Sequence, residues 1–244
     1  MFRSWWNSRC EPGPLTMAGR PRILALDAAL ARCSAAVLAG DSVLAVQSAP
    51  GERGHAALLP PMAEAVLREA GLAAADLDAV AAVVGPGGFT GIRAALALAE
   101  GIGLGAGLPV IGVTTGEALA AALPAAVRAG RTVWAVIDNR RGRVLLERFP
   151  SGALAAEGPP EVFAEADLPW PTTPVAVAGD AAPAVAARLA ARGADALLTD
   201  QRLPEAAAAA RVAALRLAGA LPPRSARPLY VEPPAVRLPR PRPG

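Results

Sequence analysis

This chain of 244 residues contains no lysine, two cysteines and one histidine. A Walker phosphate-binding loop ends in Gly-Lys-Ser/Thr, so the absence of lysine excludes that class of nucleotide site. Cys10 and Cys33 have neither a zinc-ligand nor a Cys-x-x-Cys spacing, and they give no reason to expect an oxidising compartment. All the basic side chains are arginine, a composition typical of a GC-rich genome, so their abundance alone does not indicate phosphate recognition.

Long apolar segments are also lacking. The longest uncharged run, Gly101 to Gly116, has 16 residues with several glycines, whereas a membrane-spanning helix needs about 20 mostly apolar residues. Residues 1–16 lack the apolar core of a signal peptide, and Met17 directly precedes the first predicted strand. We therefore expect a soluble cytoplasmic protein without a membrane segment, in which residues 1–20 are a disordered or misannotated leader.

The net charge of +3 is unevenly distributed. The first 16 residues carry +1 and residues 224–244 carry +4, which leaves residues 17–223 at −2. A slightly acidic body argues against nucleic-acid binding by the folded part alone. The tail, residues 222–244, ends in a Pro-Arg repeat that favours a solvated polyproline-like extension, with a phosphate contact as the alternative.

The most informative motif is the glycine loop, Gly85 to Arg93, with the sequence GPGGFTGIR. A buried strand is predicted before it, at 77–84, and a helix after it, at 94–105. This order brings free amide groups and a helix N-terminus together, an arrangement that favours anion binding. Thr90 is the predicted N-cap of the helix. The alternative is a tight turn whose glycines serve only packing. The dinucleotide fingerprint fails because Thr90 stands where its third glycine belongs.

Hydrophobic periodicity predicts a mixed α/β protein built from two halves. In the first half we predict strands and helices as follows: strands 22–27, 33–39, 42–48, 77–84 and 109–113, and helices 55–70, 94–105 and 115–123, with Pro60 and Pro61 near the start of the regular part of the first helix. The second half has these predicted elements: strands 132–138, 143–149 and 175–178, and helices 182–192 and 205–217. The division falls near 125–130, giving domains at 21–124 and 131–221.

Both halves open with an apolar strand that ends in an aspartate and enters a hairpin, at Asp27 and at Asp138. This repetition suggests the actin-like and sugar-kinase architecture, in which two such hairpins hold phosphates and metal from opposite sides of a cleft. Candidate nucleotide or phosphate contacts are Asp27, Gly87, Gly88, Thr90 and Asp138. Each aspartate also fits a plain turn residue. The first hairpin lacks the Gly-Thr pair of the kinases, which argues against an active phosphotransferase.

The segments Ile23 to Asp27, Arg53 to Pro60, Gly85 to Arg93 and Gly105 to Gly112 closely resemble the bacterial TsaB (YeaZ) family. The likeness is strong over 22–123 and looser to Tyr230. Two positions depart from the family pattern, since Gly88 replaces a usual serine and Glu232 a common arginine. The resemblance implies two duplicated halves of the actin-like and sugar-kinase-like (ASKHA) fold, with mixed sheets flanked by helices.

The resemblance also implies a function. TsaB pairs with TsaD, which forms N6-threonylcarbamoyladenosine beside the tRNA anticodon, as a non-catalytic subunit. We accordingly expect a heterodimer with the TsaD homologue, recruitment of the ATPase TsaE as a further option, tRNA contact through the complex, and a homodimer as an option for the free protein. No cofactor is expected on the isolated chain, with ATP or ADP a candidate at the complex interface.

TsaD-type chemistry relies on a metal held by two histidines on a helix. The lone His55 cannot make that site, and we interpret it as a polar residue at a helix start. The lack of a second histidine also argues against a peptidase M22-like metalloprotease activity, an older interpretation of the wider family. We expect no catalytic and no metal-binding residue. The alternative function is an ATP-dependent small-molecule kinase of the same fold, with ATP between Asp27 and Asp138.

In TsaB relatives the N-terminal half pairs with TsaD through its helices, here 56–70 and 91–105. Small residues would let a partner helix approach closely, and larger apolar residues would anchor it. The predicted partner interface comprises Leu58, Met62, Leu67, Ala94, Ala95, Ala97, Gly101 and Gly105. These faces could equally be core, so the hypothesis requires that apolar area stays exposed in the monomer.

Overall fold

The computed structural model describes residues 20–231. The predicted leader, apart from Arg20, and residues 232–244 of the predicted tail lie outside this range. The described chain forms two five-stranded sheets, one in each half.

The first sheet has the order β3-β2-β1-β4-β5, with β1, β2 and β3 antiparallel and β1, β4 and β5 parallel. Its strands have these bounds: β1 (Arg22–Leu30), β2 (Arg32–Ala39), β3 (Ser42–Pro50), β4 (Ala79–Gly85) and β5 (Val110–Thr114). The central strands β1, β2 and β4 are almost completely buried, which explains their unbroken apolar sequences. The register of β1 shifts between Asp27 and Leu30, where the hairpin begins.

The second sheet repeats this arrangement in the order β10-β9-β6-β7-β8. Its strands have these bounds: β6 (Thr132–Asp138), β7 (Arg143–Phe149), β8 (Glu161–Ala164), β9 (Val175–Ala178) and β10 (Ala196–Leu198). Again the first three strands are antiparallel and the remaining two run parallel to the first. Because β6 to β10 correspond one by one to β1 to β5, the prediction of two duplicated halves with mixed sheets is confirmed.

The helices cover both sheets. Their bounds are α1 (His55–Ala70), α2 (Phe89–Ala106), α3 (Thr115–Ala122), α4 (Ala125–Gly130), α5 (Ala182–Ala191) and α6 (Ala206–Leu217). Helices α1 and α2 pack together against the first sheet, and α5 packs against the second. Helix α3 contacts both sheets, and its Leu119 and the following Leu123 lie in one hydrophobic cluster with Val133 and Phe149 of the second half. This cluster joins the halves.

Three features differ from the sequence predictions. Helix α1 begins at His55, so Pro60 and Pro61 lie inside it and not at its start. Helix α2 begins at Phe89 with Gly88 as its N-cap, so the predicted cap role of Thr90 is wrong. Helix α6 follows the second half in the chain but packs across the first sheet, where its alanines are buried. The sequence prediction also missed α4, β8 and β10.

Residues 222–231, which we call the C-terminal strap, also differ from the predicted solvated extension. The Gly112 N–H donates to Arg224 O at 3.0 Å, and Ile111 pairs with Ser225 in an isolated bridge. Further along, the Leu229 N–H donates to Val84 O at 2.9 Å. The described part of the tail is therefore fixed to the first sheet and ends beside the glycine loop.

Within the described part of the chain, α2 is the one helix with the length and apolar composition to cross a membrane. Its Ala95 and Ala99 are fully buried and belong to the core of the first half. Helix α2 therefore packs as a core helix of a globular fold, with one face buried and one exposed.

Candidate functional site

A cleft of about 550 Å³ lies between the two halves. The first hairpin (28–31) and the glycine loop (86–91) line it from one half, and the second hairpin (138–141) lines it from the other. The end of the C-terminal strap (229–231) completes the lining. Its volume falls within the range of about 300–1,000 Å³ typical of ligand clefts. The duplication of the fold explains why two equivalent hairpins face each other here.

The glycine loop lies directly on the first hairpin. The Gly88 N–H donates to Ala29 O at 2.7 Å. A Cβ atom at Gly87 would stand 2.2 Å from Ala29 O, and one at Gly91 would stand 2.0 Å from Ala28 O. These glycines are required because the two backbones approach so closely. The Gly88 amide is occupied by the hairpin, which leaves it unavailable to a phosphate in this conformation.

Asp27 lies beneath the cleft and is completely buried, so it does not form part of the lining. Its Oδ1 accepts a hydrogen bond from the Ala29 N–H at 3.0 Å, and its Oδ2 has no hydrogen-bond partner among the described residues. Burial raises the pKa of Asp27 to about 7, while the Ala29 N–H and Arg32 act in the opposite direction. The predicted phosphate contact is therefore a buried carboxyl group that supports the hairpin turn.

Asp138 occupies the equivalent position in the second half but is exposed at the cleft surface. Its Oδ1 accepts from the Arg140 N–H at 2.8 Å, and its own N–H donates to Asp180 Oδ1 at 2.9 Å. Burial raises the pKa of Asp180. Arg140, which has a positive φ of 59°, pairs with Glu52 of the first half at 3.1 Å. This exposed ion pair crosses the cleft and contributes little stability.

His55 is the first residue of α1 and is mostly buried. Its Nε2 lies 2.7 Å from Gly51 O, a hydrogen bond that matches the predicted place of this residue at a helix start. Thr90, the remaining predicted phosphate contact, is exposed in the first turn of α2 and lines the cleft. Across residues 20–231 no group of three or more His, Cys, Asp or Glu side chains is placed to hold a metal ion.

The predicted partner residues divide by exposure. Four are exposed on the outer face of α1 and α2: Leu58, Ala97, Gly101 and Gly105. Leu67 and Ala94 are partly buried, whereas Met62 and Ala95 face the core of the first half. A surface formed by these helices therefore excludes the side chains of Met62 and Ala95. Leu104, which is 88% exposed, adds to this surface and was missed by the sequence prediction.

Phe89, Arg93 and Tyr230 form a cluster at the mouth of the cleft. The Arg93 guanidinium lies 3.8 Å from the centre of the Phe89 ring, and its Nε and Nη2 donate to the Tyr230 hydroxyl at 3.1 and 2.9 Å. The two rings are 6.2 Å apart and remain 57% and 55% exposed. Sequence reasoning assigned no role to this cluster, although Phe89 and Arg93 have the spacing of neighbours on one helix face.

A buried polar cluster connects the halves behind the cleft. Thr114 caps α3 by accepting the Glu117 N–H at 2.9 Å, and Glu117 accepts the Thr114 N–H at 2.7 Å. The Thr114 hydroxyl also donates to Glu147 Oε2, on β7 of the second sheet, at 2.8 Å. Glu117 pairs with Arg216 of α6 at 2.5 Å. A Cβ atom at Gly116 would stand 2.2 Å from Glu147 Oε2, so a larger residue there would displace the Glu147 side chain.

Glu147 is the carboxyl group of this cluster whose environment shifts its pKa. Burial, and after it the neighbouring Glu117 carboxylate, raise the pKa of Glu147 to about 8 against the opposing effects of Thr114, Arg224 and Arg216. Its Oε1 has no hydrogen-bond partner among the described residues. The raised pKa favours the neutral, protonated form of Glu147, which lies at the junction of the halves beside the Glu117–Arg216 ion pair.

Two halves of identical sheet topology, with equivalent hairpins facing across a cleft, define a protein of the actin-like and sugar-kinase-like class. A solved structure of YeaZ from Pseudomonas aeruginosa superimposes with a TM-score of 0.73 and 28% sequence identity, covering 86% of this chain and 99% of that one. The chain belongs to the TsaB (YeaZ) family.

Sequence relatives support this assignment. The tRNA threonylcarbamoyladenosine biosynthesis protein TsaB of Escherichia coli is 40% identical over 124 residues, which cover 50% of this chain and 52% of the relative. An uncharacterized Mycobacterium bovis protein is 36% identical over 162 residues, covering 64% of this chain and 71% of the relative. A family model described as TsaD, tRNA N6-adenosine threonylcarbamoyltransferase, matches residues 49–152. The chain thus spans about half the length of its E. coli relative.

Proposed function

We propose that this protein is the non-catalytic partner of a TsaD homologue in forming N6-threonylcarbamoyladenosine next to the tRNA anticodon. The name of the E. coli relative supports the pathway, and the match of residues 49–152 to the TsaD family model supports a common origin of the two subunits. The lone His55 of the sequence cannot supply a two-histidine metal site, so the chemistry belongs to the partner. The protein acts in the cytoplasm, where tRNA is modified.

The observation that carries this proposal is the outer face of α2. Ala97, Gly101 and Gly105 are exposed at a spacing of four residues, and Leu104 projects beside them. Small residues at this spacing let a second helix approach closely, and a protruding leucine supplies an anchor. Leu58 of α1, which is 40% exposed, extends the surface. The same face would serve a second copy of the chain when the partner is absent.

The nucleotide, the ATPase TsaE and the tRNA are expected to bind the assembled complex and not the isolated chain. Because the Gly88 amide is occupied by Ala29 O, and Asp27 is buried, an ATP or ADP phosphate would bind only once the partner supplies further groups. The nucleotide site therefore belongs to the assembled complex, where TsaE would join. The tRNA contacts the complex as a whole, since the described body has no excess of positive charge.

The active kinase remains the second candidate because the cleft lies between the two hairpins, as that function requires. It predicts that the isolated protein binds Mg-ATP through Asp27 and Asp138. The burial of Asp27 and the raising of its pKa to about 7 weaken this candidate, because a metal ligand needs an accessible carboxylate.

Co-purification with the TsaD homologue tests the proposal. The unaltered chain should form a stable complex, and Ala97→Arg should weaken its affinity at least about tenfold, since a charged side chain would stand in a close helix contact. Ala187→Arg is the matched control, because Ala187 is also exposed but lies on α5 of the second half. Equal affinity of both variants would show that α2 is not the interface.

A tRNA-modification assay separates the two candidate functions. With the TsaD homologue present, omission of this chain should abolish or strongly reduce formation of threonylcarbamoyladenosine. Unchanged modification without the chain would contradict the partner role. Mg-ATP turnover by the isolated chain would favour the kinase.

A further inference from the structure

A second, small cavity of about 70 Å³ lies between the exposed rings of the aromatic cluster. Phe89 and Tyr230 form its walls, and Ile92, Pro228 and Leu229 contribute apolar surface beside the backbone of Gly87. We call it the Phe89–Tyr230 pocket. The glycine loop supplies one side and the C-terminal strap the other, so it exists only because the strap returns to the first sheet.

The walls of the Phe89–Tyr230 pocket are held in place before any ligand arrives. Arg93 lies over the Phe89 ring at 3.8 Å and donates two hydrogen bonds to the Tyr230 hydroxyl. The Leu229 N–H donates to Val84 O at 2.9 Å, which fixes the strap next to the pocket. A partner that fills a preformed pocket loses little free energy to the ordering of side chains.

The size of the pocket selects its occupant. It is several times larger than the roughly 10–15 Å³ that one water molecule needs. It is far smaller than the roughly 300–1,000 Å³ that encloses a nucleoside or cofactor. A single branched aliphatic side chain, such as leucine or isoleucine, matches both the volume and the apolar lining.

The position of the pocket at the end of the exposed α2 face indicates that its ligand is part of a protein. Phe89, Arg93, Ala97 and Gly101 follow one another at a spacing of four residues and are all exposed, so the pocket stands at one end of the α2 face. Arg93 has no carboxylate partner within residues 20–231, which leaves a positive charge at the rim. An acidic residue beside the inserted side chain would complement it.

We propose that the Phe89–Tyr230 pocket is the anchor site of the protein partner and receives one aliphatic side chain flanked by a carboxylate. This inference rests on the proposed function, because it concerns the surface that the same partner covers. Arg93 acts here as a positioning residue that holds both rings. Anchor side chains in preformed pockets dominate the affinity of many interfaces, whereas surrounding contacts contribute little.

The test measures the affinity of the full chain for the TsaD homologue by calorimetry or interferometry. Phe89→Ala and Tyr230→Ala should each weaken binding about tenfold or more, because each removes a wall of the pocket. The loss of affinity in the double variant should be smaller than the product of the two single fold-losses, since both side chains contact the same inserted side chain. Tyr230→Phe keeps the ring and should cost less than Tyr230→Ala. Arg93→Met should weaken binding and reduce its salt dependence.

Trp170→Ala is the matched control. Trp170 is also exposed and stacked by an arginine, Arg192 at 4.8 Å, but lies in the second half. This variant should keep the parent affinity within about twofold. Thermal unfolding of each variant confirms that the fold is intact.

Three outcomes would overturn the inference. If the parent binds but Phe89→Ala and Tyr230→Ala bind equally well, the pocket is not an anchor, while the proposed function stands. If the parent does not bind at all, both fail. A labelled single-stranded RNA of 12 uridines is measured in parallel. Loss of RNA binding in both alanine variants with unchanged partner affinity would identify a base-stacking site instead.

Discussion

Two carboxyl groups, Asp27 and Glu147, are buried at the base of the cleft and at the junction of the halves. Burial raises the pKa of the first to about 7 and of the second to about 8. In the unfolded chain both lose their protons near pH 4. Between about pH 4 and the pKa that each group has in the folded protein, the folded state therefore binds more protons than the unfolded state. The stability that each contributes is complete below its unfolded pKa and is lost as the pH rises through its folded pKa.

Glu147→Gln tests this linkage at the residue scale. Glutamine can still accept the hydrogen bond from Thr114 but does not titrate. Between pH 5 and 8 the free energy of unfolding of the parent should fall, relative to the variant, by up to about 1.4 kcal/mol per pH unit. Urea unfolding at three pH values in this range measures the difference.

The control for this prediction is Glu161→Gln. Glu161 pairs with Arg148 at 2.5 Å, but both side chains are partly exposed, so the pair contributes little. Glu161→Gln should change the free energy of unfolding by no more than about 0.5 kcal/mol. A constant difference for Glu147→Gln over the same range would mean that Glu147 is already ionised in the folded protein.

At the scale of elements, α2 combines two kinds of glycine. Gly91 faces Ala28 O, where a Cβ atom would stand at 2.0 Å, whereas a Cβ atom at Gly101 would meet no heavy atom within 4 Å. The first serves the contact between the glycine loop and the hairpin. The second lies on the exposed face that we assign to the partner.

Alanine substitution should therefore have opposite effects at these two positions. Gly91→Ala should destabilise the protein by about 1–3 kcal/mol or more, because the backbone of the hairpin must move. Gly101→Ala should stabilise it by about 0.5–1 kcal/mol, since alanine favours a helix interior over glycine. Chemical denaturation of both variants measures the effects. A neutral Gly91→Ala would show that the hairpin and the glycine loop are not in firm contact.

At the scale of the whole molecule, much of the fold could be predicted. The strands predicted to end at Asp27 and Asp138 indicated the duplication, and the sheets confirm it, although β1 continues past Asp27 to Leu30. Strands β8 and β10 were missed because they have only four and three residues and lack a clear alternation. The packing of α6 on the first sheet was also missed, since an alanine-rich helix has no strongly apolar face to indicate its partner.

The candidate site was predicted less completely. The equivalent hairpins and the glycine loop could be read as cleft walls, but the burial of Asp27 depends on how the hairpin bends above it. The Phe89–Tyr230 pocket joins residues from α2 and the strap, and Arg93 and Tyr230 are 137 positions apart. No local pattern reports such a contact, because it forms only when the chain returns to the first sheet.

The central claim is that this chain supports a TsaD homologue through the outer face of α2. The most direct measurement is the rate of threonylcarbamoyladenosine formation on tRNA in a reconstituted assay with limiting chain. We predict that the unaltered chain and Ala187→Arg give the full rate, and that Ala97→Arg reduces the rate at least about tenfold, in proportion to its lost affinity. A full rate with Ala97→Arg at the same concentration would contradict the account.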